Sequence, residues 1–286
     1  MTSSQFWQRS QTIDRRIIYV ILLLFILGPL FAKKFSLPII PSKQSTDFYD
    51  TLQQVPTDKM ILIDGQWSPS TRGENQWQTQ ALLIHVMQRH GKFAILSFDP
   101  QNNTVVQGMV EALAPKYGYV EGRDYVNFGY KPFSVFAQTV QAMATNVPGA
   151  LKKDRKGTKL SAMPIMDGVH TIQDFGAVVE VTASATPEAW IGLGGLRQAN
   201  HQVPFLVAAT AVGAPTYYPY LDAGQIQGML TGIKGAGDYE FLLGTSTFGT
   251  RATSALSLVY LLIIGLIILG NVGYYAGRAA DRRAAQ

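Results

Sequence analysis

Asp64, Asp99, Lys131, Thr182, Ser184 and Thr210 are the residues through which this chain could do chemistry, because each stands where a short apolar run stops. The stretches are Asp64-Gly65-Gln66-Trp67, Asp99-Pro100, Tyr130-Lys131, Thr182-Ala183-Ser184 and Thr210-Ala211-Val212-Gly213. If those runs are parallel strands, their carboxyl ends converge on one rim, where ligands of open α/β sheets sit near the reversal of strand order. Two carboxylates, an amine and three hydroxyls there make a candidate polar pocket. The same residue types also cap helices and close turns, and Asp99 before Pro100 is an ordinary capping arrangement.

Motifs for particular reactions are missing. No G-x-G-x-x-G follows the first apolar run, and no P-loop occurs. No G-x-S-x-G elbow surrounds Ser97, Ser161 or Ser184. His85, His90, His170 and His201 are scattered, and a five-residue separation puts His85 and His90 on different faces of a helix, unlike the i, i+4 pair of a zinc helix. Asp167 and His170 could bind a metal or act as an acid/base pair, although a loop histidine is more often merely exposed. The chain has no Cys, which excludes disulfides and thiolate chemistry. No cofactor, metal site or catalytic residue is therefore assigned.

Glycine and tyrosine mark the last third. Gly224, Gly228 and Gly232 recur every four residues and predict one side of a helix against which another backbone packs closely. Gly273 and Gly277 repeat that spacing within an apolar run, which favours packing against another membrane helix. Tyr217, Tyr218 and Tyr220, bracketed by Pro215 and Pro219, read either as a rim loop that meets a partner or lines a pocket, or as core.

The elements that would position these residues follow an alternating pattern. Strands are predicted at 60–64, 93–98, 125–130, 177–182 and 205–210. Helices are predicted at 46–54, 75–90, 104–117, 135–145, 187–200 and 217–230. Near-continuous apolar strands alternating with helices predict a parallel sheet covered on both faces, an α/β three-layer, doubly wound domain of Rossmann or flavodoxin type. The basic stretch 152–159 (KKDRKGTK) interrupts the alternation and reads as a solvated loop.

Two apolar runs flank this domain. Residues 17–32 are 16 without a charge, and 252–277 are 26. At about 1.5 Å per residue, the second exceeds the ~30 Å hydrocarbon core, while the first, at ~24 Å, needs Lys33 and Lys34 to snorkel. Leu30 makes 30–32 a poor signal-peptide cleavage site, so an uncleaved anchor is expected.

The organisation predicted is a cytoplasmic tail at 1–16, a transmembrane helix at 17–32, a linker with a short helix at 33–58, an extracytoplasmic domain at 59–250, a second span at 252–277 and a basic tail at 278–286. Between Lys33 and Arg251 there are 18 Lys and Arg against 17 Asp and Glu, so the net charge of +5 resides mainly in the two tails. The domain offers no footprint for nucleic acid. The positive-inside rule puts both tails in the cytoplasm of a two-pass inner-membrane protein.

The stretch 203–240 (VPFLVAATAVGAPTYYPYLDAGQIQGMLTGIKGAGDYE), with 59–64 and 183–190, resembles a group of uncharacterised prokaryotic membrane-anchored proteins. The resemblance implies a shared architecture and carries no catalytic residue. Three functions are compatible with these readings. The first is a non-enzymatic subunit of a membrane complex that contacts protein partners, or further copies of itself, through its glycine- and tyrosine-rich end. The second is a tethered domain that binds or senses a small solute at the strand ends. The third is a hydrolase using Asp64 and Asp99.

Overall fold

The computed structural model describes residues 14–32, 37–198 and 201–284, the last five of these by backbone alone. The chain forms two compact units, one of residues 39–249 and one that combines residues 1–38 with 250–286.

In the larger unit, six parallel strands form one sheet: β1 (Ile61–Gln66), β2 (Phe93–Ser97), β3 (Tyr125–Tyr130), β4 (Ala177–Thr182), β5 (Phe205–Ala209) and β6 (Gly228–Thr231). Their order is β3-β2-β1-β4-β5-β6, the doubly wound order of Rossmann-like sheets. The strand order reverses between β1 and β4. Numbering α1 as the N-terminal helix described below, the sheet is joined and covered by α2 (Lys43–Gln54), α3 (Arg72–Gln88), α4 (Pro100–Tyr117), α5 (Phe136–Met143), α6 (Val147–Leu151), α7 (Pro187–Leu193), α8 (Tyr218–Asp222) and α9 (Gly232–Leu242).

Alternate residues of each strand feed two cores, as the period of two requires. Leu62, Val178 and Val207 enter one, with Phe136, Val140 and Trp190. Ile63, Val179 and Leu206 enter the other, with Phe48, Leu82 and Tyr239. Buried amides of α3 serve the sheet's carboxyl edge. Gln78 Nε2 donates to the carbonyls of Ala209 and Gly232, both at 2.9 Å, and Asn75 Nδ2 to that of Thr182 at 3.2 Å. These bonds tie α3 to the ends of β4 and β5 and to the first residue of α9.

The predicted helix 217–230 is not formed. A 3-10 turn (Ala214–Tyr217) and α8 end at a turn closed by Gly224, and Gly228 opens a sixth strand. The four-residue spacing of Gly224, Gly228 and Gly232 is therefore not a helical face. Close approach of another backbone is real at Gly228, where a Cβ would strike the backbone of Phe48 in α2. Gly232 has a φ of +59°, a left-handed conformation at the first residue of α9 that suits glycine. The predicted helix at 187–200 is also shorter, since α7 stops at Leu193.

The loop 152–159 lies along the free edge of β3. Arg155 N donates to Asn127 O at 2.8 Å, and Arg155 and Lys156 pair with Glu121 at 3.1 and 2.7 Å. A charged loop on an edge strand blocks pairing with another chain.

In the smaller unit, α1 (Arg15–Phe31) is capped by Asp14, whose carboxylate accepts Arg16 N at 2.9 Å. Another helix, α10 (Phe248–Ala284), carries Gly273 and Gly277 and runs into this unit from Phe248. Arg251 Nη1 donates to Leu30 O at 3.1 Å, and Leu37 N to Ser254 Oγ at 3.1 Å. Among the described residues one helical stretch, Phe248–Ala279, is long and apolar enough to cross a membrane. With 17 residues α1 reaches only ~26 Å at about 1.5 Å each. Two spans were expected, and length and composition support one.

Candidate functional site

A cleft of ≈ 270 Å³ opens at the carboxyl edge of β1, β2 and β4. Four connections line it. After β1 come Trp67, Ser68, Ser70 and Thr71, after β2 come Phe98 and Asp99, and after β4 come Ala183 and Ser184, with Gln66 at the end of β1 and Phe133 beyond β3. This is the crevice beside the strand-order reversal where doubly wound sheets bind ligands.

Asp99 and Ser184 meet in this cleft. Asp99 also caps α4, its Oδ1 accepting Asn102 N at 2.7 Å. Thr182 lies buried behind the wall, where its Oγ1 donates to Ser184 O at 3.0 Å and accepts Ser184 N at 2.9 Å. Lys131 and Thr210 are not among the lining residues. Lys131 Nζ donates to Leu151 O at 3.3 Å, and desolvation holds its pKa below the usual lysine value. Thr210 closes its own turn by accepting Gly213 N at 3.2 Å. Tyr217 is buried, with its hydroxyl donating to Ser184 O at 2.5 Å. Tyr220 packs on the core and Tyr218 is exposed.

Asp64 is the main correction. Strand β1 continues two residues past it, because Gly65 leaves room for the Asn102 side chain and Gln66 still pairs with Thr182. Asp64 is consequently a fully buried residue within the sheet, and Gln66 takes the rim position. Its carboxylate accepts Gln66 Nε2 and Trp190 Nε1, both at 2.8 Å. Directly beside it in register is Glu180 of β4, also fully buried. Glu180 Oε1 bonds the Thr186 hydroxyl, which lies 2.9 Å from that of Thr182, and Glu180 Oε2 has no hydrogen-bond partner.

Burial pushes the Asp64 carboxyl up to about 7, against the opposing pull of Trp190 and Gln66. Burial, followed by the charge of Asp64, holds Glu180 well above the usual carboxylate range. Burial also raises Tyr217, reinforced by Glu180 and Glu188.

Glu180, Trp190 and Thr186 escaped the sequence reading. The available signal was a glutamate in the middle of AVVEVT, an otherwise apolar strand with no charge of opposite sign. Asp167 and His170 are both exposed, and Asp174 engages the backbone there by accepting His170 N at 2.9 Å. No group of three or more potential metal ligands is present among the described residues.

No protein-family model matches the chain, and no curated protein matches it. The architecture and the cleft therefore carry the functional reading.

Proposed function

We propose that this protein is a membrane-tethered α/β domain that binds a small, uncharged or cationic solute in the carboxyl-edge cleft. The observation that carries this reading is the ≈ 270 Å³ cleft at the strand-order reversal, walled by Ser68, Ser70, Thr71 and Ser184. Its one charged lining residue is Asp99, so anions are disfavoured. Phe133, 57% exposed, offers an aromatic face beside the hydroxyls.

The tether consists of α10 and α1, both ends in the cytoplasm and the domain outside it, as the basic tails favour. The bond from Arg251 to Leu30 supports a two-pass anchor, because it holds the end of α1 against the start of α10. A protease added to intact spheroplasts should cut within 152–159. Cleavage only after lysis would reverse this topology.

A complex subunit is the second reading. Val212, 90% exposed, and Phe133 favour it as apolar residues in loops beyond the strands' carboxyl ends. Its glycine argument has weakened, since Gly228 packs on the chain's own α2. A hydrolase using Asp64 with Asp99 has little support, because Asp64 is sealed beneath Gln66.

The binding reading is tested by thermal unfolding of the full-length, detergent-solubilised chain with panels of neutral polyols, amines and organic anions. Neutral or cationic compounds should raise the melting temperature, anions should not, and Ser184→Trp should abolish the rise by filling the cleft. No rise with any panel member, or a rise that survives Ser184→Trp, would favour the subunit reading.

A further inference from the structure

Asp64 and Glu180 occupy paired positions on adjacent strands, point to the same face and are both fully buried. Adjacent strands lie about 4.8 Å apart, so two ionised carboxylates there would repel each other in a medium that screens poorly. Among the described residues no cationic side chain offsets that repulsion. The same row of the sheet is completed by Leu96 of β2 and Val207 of β5. Helix α5 contributes Phe136, Val140 and Met143 to this core, and α7 contributes Trp190, with its Glu188 exposed. The remaining titratable neighbour is Tyr217, on the 3-10 turn after β5. Among the described residues no Lys, Arg or His pairs with either carboxyl.

The hydrogen bonds distinguish the two acids. Asp64 receives two N–H donors, which stabilise an anion, whereas Glu180 has one hydroxyl partner and a bare Oε2. We propose that Asp64 and Glu180 form a proton-binding site beneath the cleft, with the proton resident on Glu180 and its occupancy felt at the cleft's floor and wall. The floor is reached through Gln66, which lines the cleft and donates to Asp64. The wall is reached through Thr186 and Thr182, which link Glu180 to the Ser184 carbonyl. The proton is held whether or not the cleft is filled, so this site can stand even if the solute-binding reading fails.

The test uses the full-length chain in detergent, with indole-15N tryptophan, and follows the N–H resonances with pH. The chain has four tryptophans, and those of the domain are assigned from single Trp→Phe variants. The Trp190 indole bonds Asp64, so its resonance should titrate between about pH 4 and 9. Trp77, stacked on Phe248 at 4.2 Å and remote in contacts from the pair, should not titrate in parallel. Glu180→Gln should leave the Trp190 midpoint nearly in place, because Glu180 already holds its proton, and is neutral, while Asp64 ionises. Asp64→Asn should abolish the titration. A Trp190 resonance that stays fixed across the range, or one whose midpoint drops to lower pH in Glu180→Gln because an ionised Glu180 had opposed Asp64, overturns the proposal. Should Asp64→Asn fail to fold, the Glu180→Gln midpoint decides alone.

Discussion

His85 and Asp64 are titratable residues buried on opposite faces of the same sheet, and their surroundings treat them differently. His85, on α3, has both ring nitrogens engaged, Nδ1 with the Tyr239 hydroxyl at 2.6 Å and Nε2 with Gln53 Oε1 at 2.8 Å. An amide oxygen only accepts, so Nε2 carries the hydrogen and Nδ1 takes the tyrosine proton. Tyr49 stacks on the ring at 4.9 Å, and Arg89 spans to the carbonyls of Leu52 and Val55. The cluster joins α2, α3 and α9 through a neutral imidazole. Asp64 instead sits beside another acid, and the pair leaves Glu180 Oε2 unpartnered. The first network joins elements through fully paired donors and acceptors, while the second leaves a polar atom buried without a partner.

The largest expected effect is at Trp190, which is fully buried and supplies one of the two donors to Asp64. Trp190→Ala should destabilise by about 3–5 kcal/mol in denaturant unfolding. Trp190→Phe keeps most of the volume and should lose about 1–3 kcal/mol, chiefly from the missing donor. Equal losses in the two variants would assign the whole effect to the indole N–H.

The pH profile is the sharper test of the contrast. Burial, aided by the Arg89 charge, lowers His85 from 6.5 to about 4. The unfolded chain therefore binds its proton first, so the contribution of neutral His85 is complete above about pH 6.5 and is lost as pH falls toward 4, about 3 kcal/mol in all. Asp64 runs the other way. With its value raised from 3.8 to about 7, its contribution is complete below about pH 4 and is lost as pH rises through 7. The two slopes oppose each other between about pH 4 and 7. His85→Gln should expose a stability that falls as pH rises, and Asp64→Asn one that rises with pH, both read as melting temperature against pH. Parallel profiles in the two variants would remove the distinction.

A smaller effect should follow from Tyr239→Phe, which strips the hydroxyl from His85 Nδ1 and leaves a buried acceptor unpaired, at about 1–3 kcal/mol. Its loss should persist as pH falls, because protonated His85 carries a hydrogen on Nδ1 that then needs the tyrosine oxygen as its acceptor. A negligible loss would mean that Tyr239 acts through ring packing alone, consistent with its edge contact to Phe48 at 5.2 Å.

The alternation of apolar runs with helical segments made the parallel α/β sheet legible, because strands covered on both faces must be apolar throughout. Five of the six strands were readable on that basis, and β6 was not. It is four residues long, begins with glycine and reads GMLT, so nothing local separates it from a helix. The rim was partly legible too, since Asp99 and Ser184 line the cleft, whereas Lys131 and Thr210 face other partners.

By itself, the sequence determined composition-level properties: the long apolar C-terminal run, the basic tails, the absence of thiols and the βα alternation. These depend on neighbours in the chain, and local periodicity encodes them. Only the tertiary structure decided that Asp64 lies inside β1 beside Glu180, 116 positions away, and that Trp190 reaches it from α7. Register sets that pairing, and a one-residue slip would turn Asp64 to the opposite face, among Ile63 and Val179. The physical reason is that the free energy of a buried carboxyl is set by what packing brings within a few ångströms, and sequence spacing carries no record of that distance.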